Sequence, residues 1–248
     1  MDDAGPDVRG PALLRTVPER GDDRFAVCAR YYTEIRLHWW TGGMHIALEP
    51  FDDWAHYNIA PTDTAPVVRA GPSPQHPRAD LMRWGLVPYW AKDLKIGARM
   101  INARSEEAAT KPAFREAFRR RRCLVPASGF FEWTGGKGNK QPHVIRRPGG
   151  EPFTLAGLWE SWNSPGGDTV ETFTILTCDP NDAVTPLHDR MPVILPAEHR
   201  TAWLSRETPA PDLHAMLEPY AGDLETFRVS PEMNRPGTSE ARFVDPID

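Results

Sequence analysis

The stretch Phe153-Thr154-Leu155-Ala156-Gly157-Leu158-Trp159-Glu160-Ser161-Trp162, followed beyond the Pro165-Gly166-Gly167 cluster by Thr172-Phe173-Thr174-Ile175-Leu176-Thr177, decides the fold class. Aromatic and β-branched residues dominate both runs, and Gly and Pro bound them, which is the pattern of neighbouring strands. Working outward, similar runs occur at Arg30 to Trp39, Met82 to Val87 and His143 to Arg147, and Gly135-Gly136-Lys137-Gly138-Asn139 has the composition of a hairpin tip. Helical signals are fewer. Pro112 to Arg121 starts with a proline suited to a first turn and carries Ala113, Phe114, Ala117 and Phe118 at helical spacing. Pro196 to Leu204 and Pro211 to Leu217 show the same proline-first signal. The expectation is an α+β fold: a single β-rich domain whose antiparallel strands curl toward a barrel, with a few short helices.

The 26 Pro and 19 Gly are spread evenly, and no repeat or low-complexity block divides the body. About 220 residues suffice for one domain that buries roughly 70% of its unfolded surface. Nine Trp and ten Phe supply an aromatic core. The longest apolar run falls far short of the roughly 20 residues of a membrane span. A formal charge of −5 gives no global attraction to nucleic acid, so any such contact must rest on a local basic surface. Three cysteines, Cys28, Cys123 and Cys178, without C-x-x-C spacing, argue against a disulfide framework and a structural zinc site. Cys123 and Cys178 read as small buried fillers, and a reducing cytoplasm fits best. The Arg119 to Arg122 run reads as a solvated helix end that complements the C-terminal dipole rather than a DNA patch.

Met1 to Val27 is crowded with Asp, Arg, Gly and Pro, a composition that predicts a disordered extension without a signal or transit peptide, leaving residues 28–248 as the domain. Behind it, Val27-Cys28-Ala29-Arg30-Tyr31-Tyr32 has the look of a protein's beginning. A cysteine in first position carries a free amine and a thiol on one skeleton, and that pair condenses with aldehydes. Two routes expose it: translation beginning at Val27 with removal of the initiator, or self-cleavage between Val27 and Cys28.

Seven blocks then occur in order: Cys28-Ala29-Arg30-Tyr31, Tyr57-Asn58-Ile59-Ala60-Pro61-Thr62, Met82-Arg83-Trp84-Gly85-Leu86-Val87-Pro88, Ile101-Asn102-Ala103-Arg104-Ser105-Glu106, Cys123-Leu124-Val125-Pro126-Ala127, Gly129-Phe130-Phe131-Glu132-Trp133, and Leu187-His188-Asp189-Arg190-Met191-Pro192-Val193-Ile194-Leu195. Together they resemble the SOS-response-associated peptidase family, also called abasic site processing proteins. The resemblance implies covalent capture of abasic sites in single-stranded DNA during the SOS response, through a thiazolidine on the cysteine matching Cys28. It implies general acid/base work by Glu132, orientation of the sugar or amine by Asn102, and proton exchange by His188. Arg30, Arg104 and Arg190 lie within three residues of these groups and suit phosphate contacts, while Trp84 and Trp133 either stack on bases or fill the core. Neither metal nor organic cofactor is implied. A monomer working in the bacterial cytoplasm, at the nucleoid during repair, is expected. The alternatives are a cysteine peptidase that processes itself at Val27/Cys28 and a non-covalent reader of single-stranded DNA. One departure from the family pattern is Ala29, where the family usually has Gly.

Overall fold

The computed structural model describes residues 29–34, 51, 54–73, 76–136 and 138–248. Its strands are β1 Arg30–Glu34, β2 Ala55–Ile59, β3 Thr64–Ser73, β4 His76–Trp84, β5 Asn102–Arg104, β6 Arg122–Ala127, β7 Gly129–Thr134, β8 Gln141–Arg146, β9 Phe153–Asn163, β10 Thr169–Cys178, β11 Met191–Pro192, β12 Ile194–Leu195 and β13 Glu225–Arg228. The helices are α1 Ser105–Ala108, α2 Arg115–Arg120, α3 Arg200–Leu204 and α4 Ala210–Ala215.

The two opening runs of the sequence are β9 and β10, paired antiparallel from Asn163↔Thr169 to Gly157↔Ile175. Going round from β10, β4, β3, β6 and β9 pair in turn and return to β10, so five strands close a barrel. All these pairings are antiparallel except β4 with β10. Closure removes the exposed edges that make long strands aggregation-prone. Where β9 crosses between β6 and β10, a Cβ on Gly157 would stand 2.8 Å from Cys123 Sγ and 3.1 Å from the Thr174 carbonyl oxygen. Only a residue without a side chain lets the three strands approach there.

A second sheet, in the order β13-β8-β7-β1-β2, lies against the barrel. Successive strand residues face opposite ways, and here both faces are covered. Tyr31, Phe130 and Ile145 join the main core, whereas their neighbours Tyr32, Phe131 and Val144 pack with Val229, Met233, Phe243 and Val244 near the C-terminus. This double burial explains why β7 reads Gly-Phe-Phe rather than alternating, a pattern that periodicity cannot assign to a half-buried strand. Burial of the Tyr32 phenol pushes its pKa up to about 12.

The expected strands at 143–147, 153–162 and 172–177 are present within a residue or a few, and β1 occupies the start of the Arg30 to Trp39 run, whose remainder lies outside the described residues. Of the Met82 to Val87 run, only Met82 to Trp84 is strand. Gly85 adopts φ +116 and a Cβ there would stand 2.5 Å from the Gly97 carbonyl oxygen, so the chain turns away into a loop folded back on itself. The three helical expectations are met by shorter helices, with residues 197–199 as a 3₁₀ turn before α3. Cys123 and Cys178 are free and buried, with burial pushing both thiols up, Cys178 to about 12. Among the described residues no helix is long and apolar enough to cross a membrane.

Candidate functional site

Asn102 opens β5, whose partner is the far end of β10: Ile175↔Asn102, Leu176↔Ala103 and Thr177↔Arg104. On its other side the same end of β10 pairs with β11, Thr177↔Pro192 and Cys178↔Met191. Two segments almost ninety residues apart in sequence, one bearing Asn102 and Arg104 and the other His188 and Arg190, therefore meet about Thr177. The guanidinium of Arg190 fastens them. It donates to both oxygens of Glu106 (2.6 and 2.8 Å), to Asp179 (2.7 Å) and to the Thr177 carbonyl (2.8 Å). Hydrogen bonding to Arg190 holds the Glu106 carboxyl below the usual carboxylate range.

His188 sits on the loop between β10 and β11, its amide donating to the Val184 carbonyl. Its Nδ1 accepts from the Arg190 backbone N–H at 3.1 Å and also lies 2.8 Å from Asp189 Oδ1. These contacts belong to different protonation states, since an acceptor nitrogen carries no proton to give the carboxylate. Asp189 is 88% exposed and free to turn away, whereas the backbone N–H is fixed, so Nδ1 is assigned as acceptor and the proton to Nε2.

Glu132 lies in β7, is buried, and stands opposite His143 in β8. It shares its strand face with Phe130, the face turned to the main core and the barrel. Between β1 and β5 stands Trp84, with Tyr31 edge-on to its ring at 5.2 Å and its Nε1 donating to the Ile101 carbonyl at 2.9 Å. One ring thus connects the start of β1 to the residue preceding Asn102. Trp84 is fully buried and stacks on Phe173, so of the two readings offered by the sequence the indole fills the core, and base stacking by Trp84 is ruled out in this fold.

Trp133 is partly exposed, and its Nε1 donates to Asn234 Oδ1 at 2.7 Å. The Arg30 guanidinium reaches the opposite face from Glu132, donating to Asn58 Oδ1 and to the carbonyls of Met233 and Asn234. Arg104 is exposed and forms no ion pair among the described residues. The structure therefore places the segment of Asn102 and Arg104 and the segment of His188 and Arg190 on either side of the same end of β10, sets Glu132 on the barrel side of β7, and ties Arg30 and Trp133 to the C-terminal segment. Cys28 lies outside the described residues, as does the Met1 to Val27 segment.

Sequence reasoning assigned no part to Glu106, the partner of Arg190, because nothing in a linear pattern links charges so far apart. It also passed over Tyr89 and Trp90, which are 62% and 51% exposed on the loop after β4. Two adjacent exposed aromatics after Pro88 were a legible signal, since large apolar rings left in water mark contact surfaces more often than accident. Among the described residues no group of three or more His, Cys, Asp or Glu is placed to hold a metal ion.

A closed five-stranded barrel with an appended sheet, carrying this set of polar groups, defines the class: the family model for SOS response associated peptidases (SRAP) matches residues 27–236, and the chain belongs to that family. Among similar proteins, the abasic site processing protein YoqW of Bacillus subtilis is 40% identical over 193 residues, covering 76% of this chain and 85% of its own. The abasic site processing protein HMCES of Xenopus tropicalis is 31% identical over 196 residues, covering 66% of this chain and 58% of its own. A crystal structure of a Bacteroides thetaiotaomicron protein shares the fold with a TM-score of 0.78 at 23% identity, covering 89% of this chain and all of that one.

Proposed function

We propose that the chain captures abasic sites in single-stranded DNA by forming a thiazolidine on Cys28, in a form of the protein whose N-terminus is that cysteine. The observation that carries the reading is the position of Glu132. Continuing the β1–β7 register of Arg30↔Phe131 by one residue sets Glu132 opposite Ala29, the residue that follows Cys28, with its buried carboxyl on the barrel side. The names of the relatives, abasic site processing proteins, support the substrate.

The chemistry balances without a cofactor. The ring-opened abasic sugar presents an aldehyde, and the α-amine of Cys28 adds to give a carbinolamine. Loss of water, which needs a proton delivered to the leaving hydroxyl, gives the imine. The thiolate then adds to the imine carbon while the nitrogen regains a proton, so the net products are thiazolidine and water. Ordinary values near 8 for an α-amine and 8.5 for a thiol leave part of each nucleophile free at neutral pH. Glu132 is the group assigned to the proton transfers and His188, with its proton on Nε2, the partner for the sugar hydroxyl. Asn102 orients the sugar, Arg104 contacts a flanking phosphate, and Trp133 with the exposed Tyr89 and Trp90 offers rings for unpaired bases.

The test is denaturing electrophoresis of protein beginning at Cys28 with single-stranded DNA holding one abasic site. A heat-stable shifted band is expected, lost in Cys28→Ala and slowed roughly 100-fold or more in Glu132→Gln. Blocking the amine with an N-terminal extension should abolish it. A band that survives Cys28→Ala, or no band with any form, overturns the reading; peptide turnover that depends on Cys28 with the extension in place points to peptidase chemistry instead.

A further inference from the structure

The four arginines Arg119 to Arg122 have separate fates. Arg119 and Arg120 are exposed in the last turn of α2 and share Glu116, at 3.2 and 3.9 Å. Arg121 pairs with Glu160 at 2.6 Å. Arg122, expected to be part of a solvated helix end, instead opens β6 and is 4% exposed. Its Nε donates to the Trp203 carbonyl (2.7 Å), Nη1 to those of Phe118 (2.6 Å) and Arg119 (2.9 Å), and Nη2 to that of Ser205 (2.5 Å). Two of these are carbonyls from the end of α2, so the side chain does complement the helix terminus, from beneath it. Four of the five N–H groups of the guanidinium are thereby used, all on neutral oxygens. Carbonyl dipoles solvate a buried cation without neutralising it. Burial and the neighbouring Arg206 push the Arg122 guanidinium down to about 10.

Beside it opens a cavity of about 360 Å³ whose lining includes Arg115, Glu116, Arg119, Arg122 and Arg206, with Phe118 and Leu213 among its apolar residues. Arg115 and Arg206 are exposed and form no ion pair among the described residues. Four guanidinium groups therefore face one carboxylate, itself already shared with two arginines, in a chain whose net charge is −5. Like charges gathered around a buried, unneutralised cation are unfavourable unless an anion completes the set. We propose that this cavity is a phosphate-binding site, taking the phosphate of a small free anion or a phosphodiester of a nucleic-acid backbone. Guanidinium groups match tetrahedral oxyanions through paired N–H donors, and the volume leaves room for an ester group against Phe118 and Leu213. None of its residues belongs to the set of Asn102, Glu132 and His188, so the site stands or falls apart from the capture chemistry.

Two readouts on the full chain test it, with Arg115→Glu/Arg206→Glu as the variant and Arg120→Glu, on the same helix but outside the cavity lining, as control. Arg206→Gln serves as a milder second variant should the double substitution lower expression. For a free anion, inorganic phosphate at matched ionic strength should raise the Tm by several degrees over chloride, a gain lost in the double variant, reduced in Arg206→Gln and kept in Arg120→Glu. For a backbone phosphodiester, undamaged single-stranded oligothymidylate should bind with a log-affinity against log-salt slope smaller by about one unit in the double variant than in Arg120→Glu. Either result supports the site and identifies its source. If phosphate gives no more than chloride, and the salt slopes of double variant and control coincide, the proposal is overturned.

Discussion

At Arg190 the guanidinium charge is taken by Glu106 and Asp179, and the side chain is only 11% exposed. Its role is to brace β5 against the loop that carries His188, and a phosphate contact would have to compete with two carboxylates. Because Glu106 titrates below its ordinary value when folded, its contribution to stability is present above the unfolded carboxylate pKa of about 4.3 and is lost as pH falls through the lower folded value. Glu106→Gln should therefore leave a Tm that depends less on pH below about 4.3 than the parent's, a difference that thermal melts across an acid series will read. Trp84 offers the contrasting case of a ring whose single polar atom is satisfied inside the core. Trp84→Phe keeps most of the packing and leaves the Ile101 carbonyl with the Ile175 N–H as its remaining donor, so it should cost about 0.5–1.5 kcal/mol in denaturant unfolding. An unaltered affinity for undamaged single-stranded DNA in that variant would agree with the buried placement, and a large loss without loss of stability would contradict it.

Among the elements, β9 shows how a barrel constrains composition. Its fifth residue, Gly157, pairs with Cys123 on one side and Ile175 on the other, and a methyl group there meets sulfur, Val125 and backbone at 2.8 to 3.1 Å. Gly157→Ala should destabilise by about 1–3 kcal/mol through overpacking, measured as a lower urea midpoint at unchanged m-value. Three of the strands that escaped sequence reading share a physical cause. β3 from Ala65 to Arg69, β6 throughout and β7 from Gly129 to Glu132 are buried because a neighbouring layer covers both faces, so the alternation that betrays a half-solvated strand is erased. β9 and β10 were legible in spite of burial because aromatic and β-branched residues are dense in them and Gly-Pro clusters mark their ends.

On the scale of the whole molecule, the family match ends at residue 236 while the fold does not. Asn58 Nδ2 donates to the carbonyls of Met233 and Thr238, the Ile247 N–H to that of Arg228, and Val229 bridges Pro246. Phe243, 1% exposed, packs with Tyr32 and Phe131 on the outer face of the second sheet. Truncation after Pro236 should expose that face and lower the Tm by more than any single surface substitution, and Phe243→Ala alone should cost about 3–5 kcal/mol by chemical denaturation. Loss of the segment should also weaken the proposed DNA capture, because Thr238 on Asn58 and Phe243 against Met233 hold in place the stretch to which Arg30 and Trp133 are anchored.

By itself the sequence determined the β-rich class, the barrel tendency, the burial of Cys123 and Cys178, and the family to which the ordered blocks belong. These depend on local composition, on spacing and on the order of short motifs, all of which are written along the chain. Only the tertiary structure decided that Trp84 is core, that Arg190 is held by Glu106 and Asp179, that Arg122 is buried among carbonyls, and that the C-terminal residues cover the second sheet. Each of those outcomes rests on at least one partner from 17 to more than 200 positions away, brought together by barrel closure and sheet stacking. A side chain's burial and its charge partner are properties of that packing, so residue type alone leaves them open.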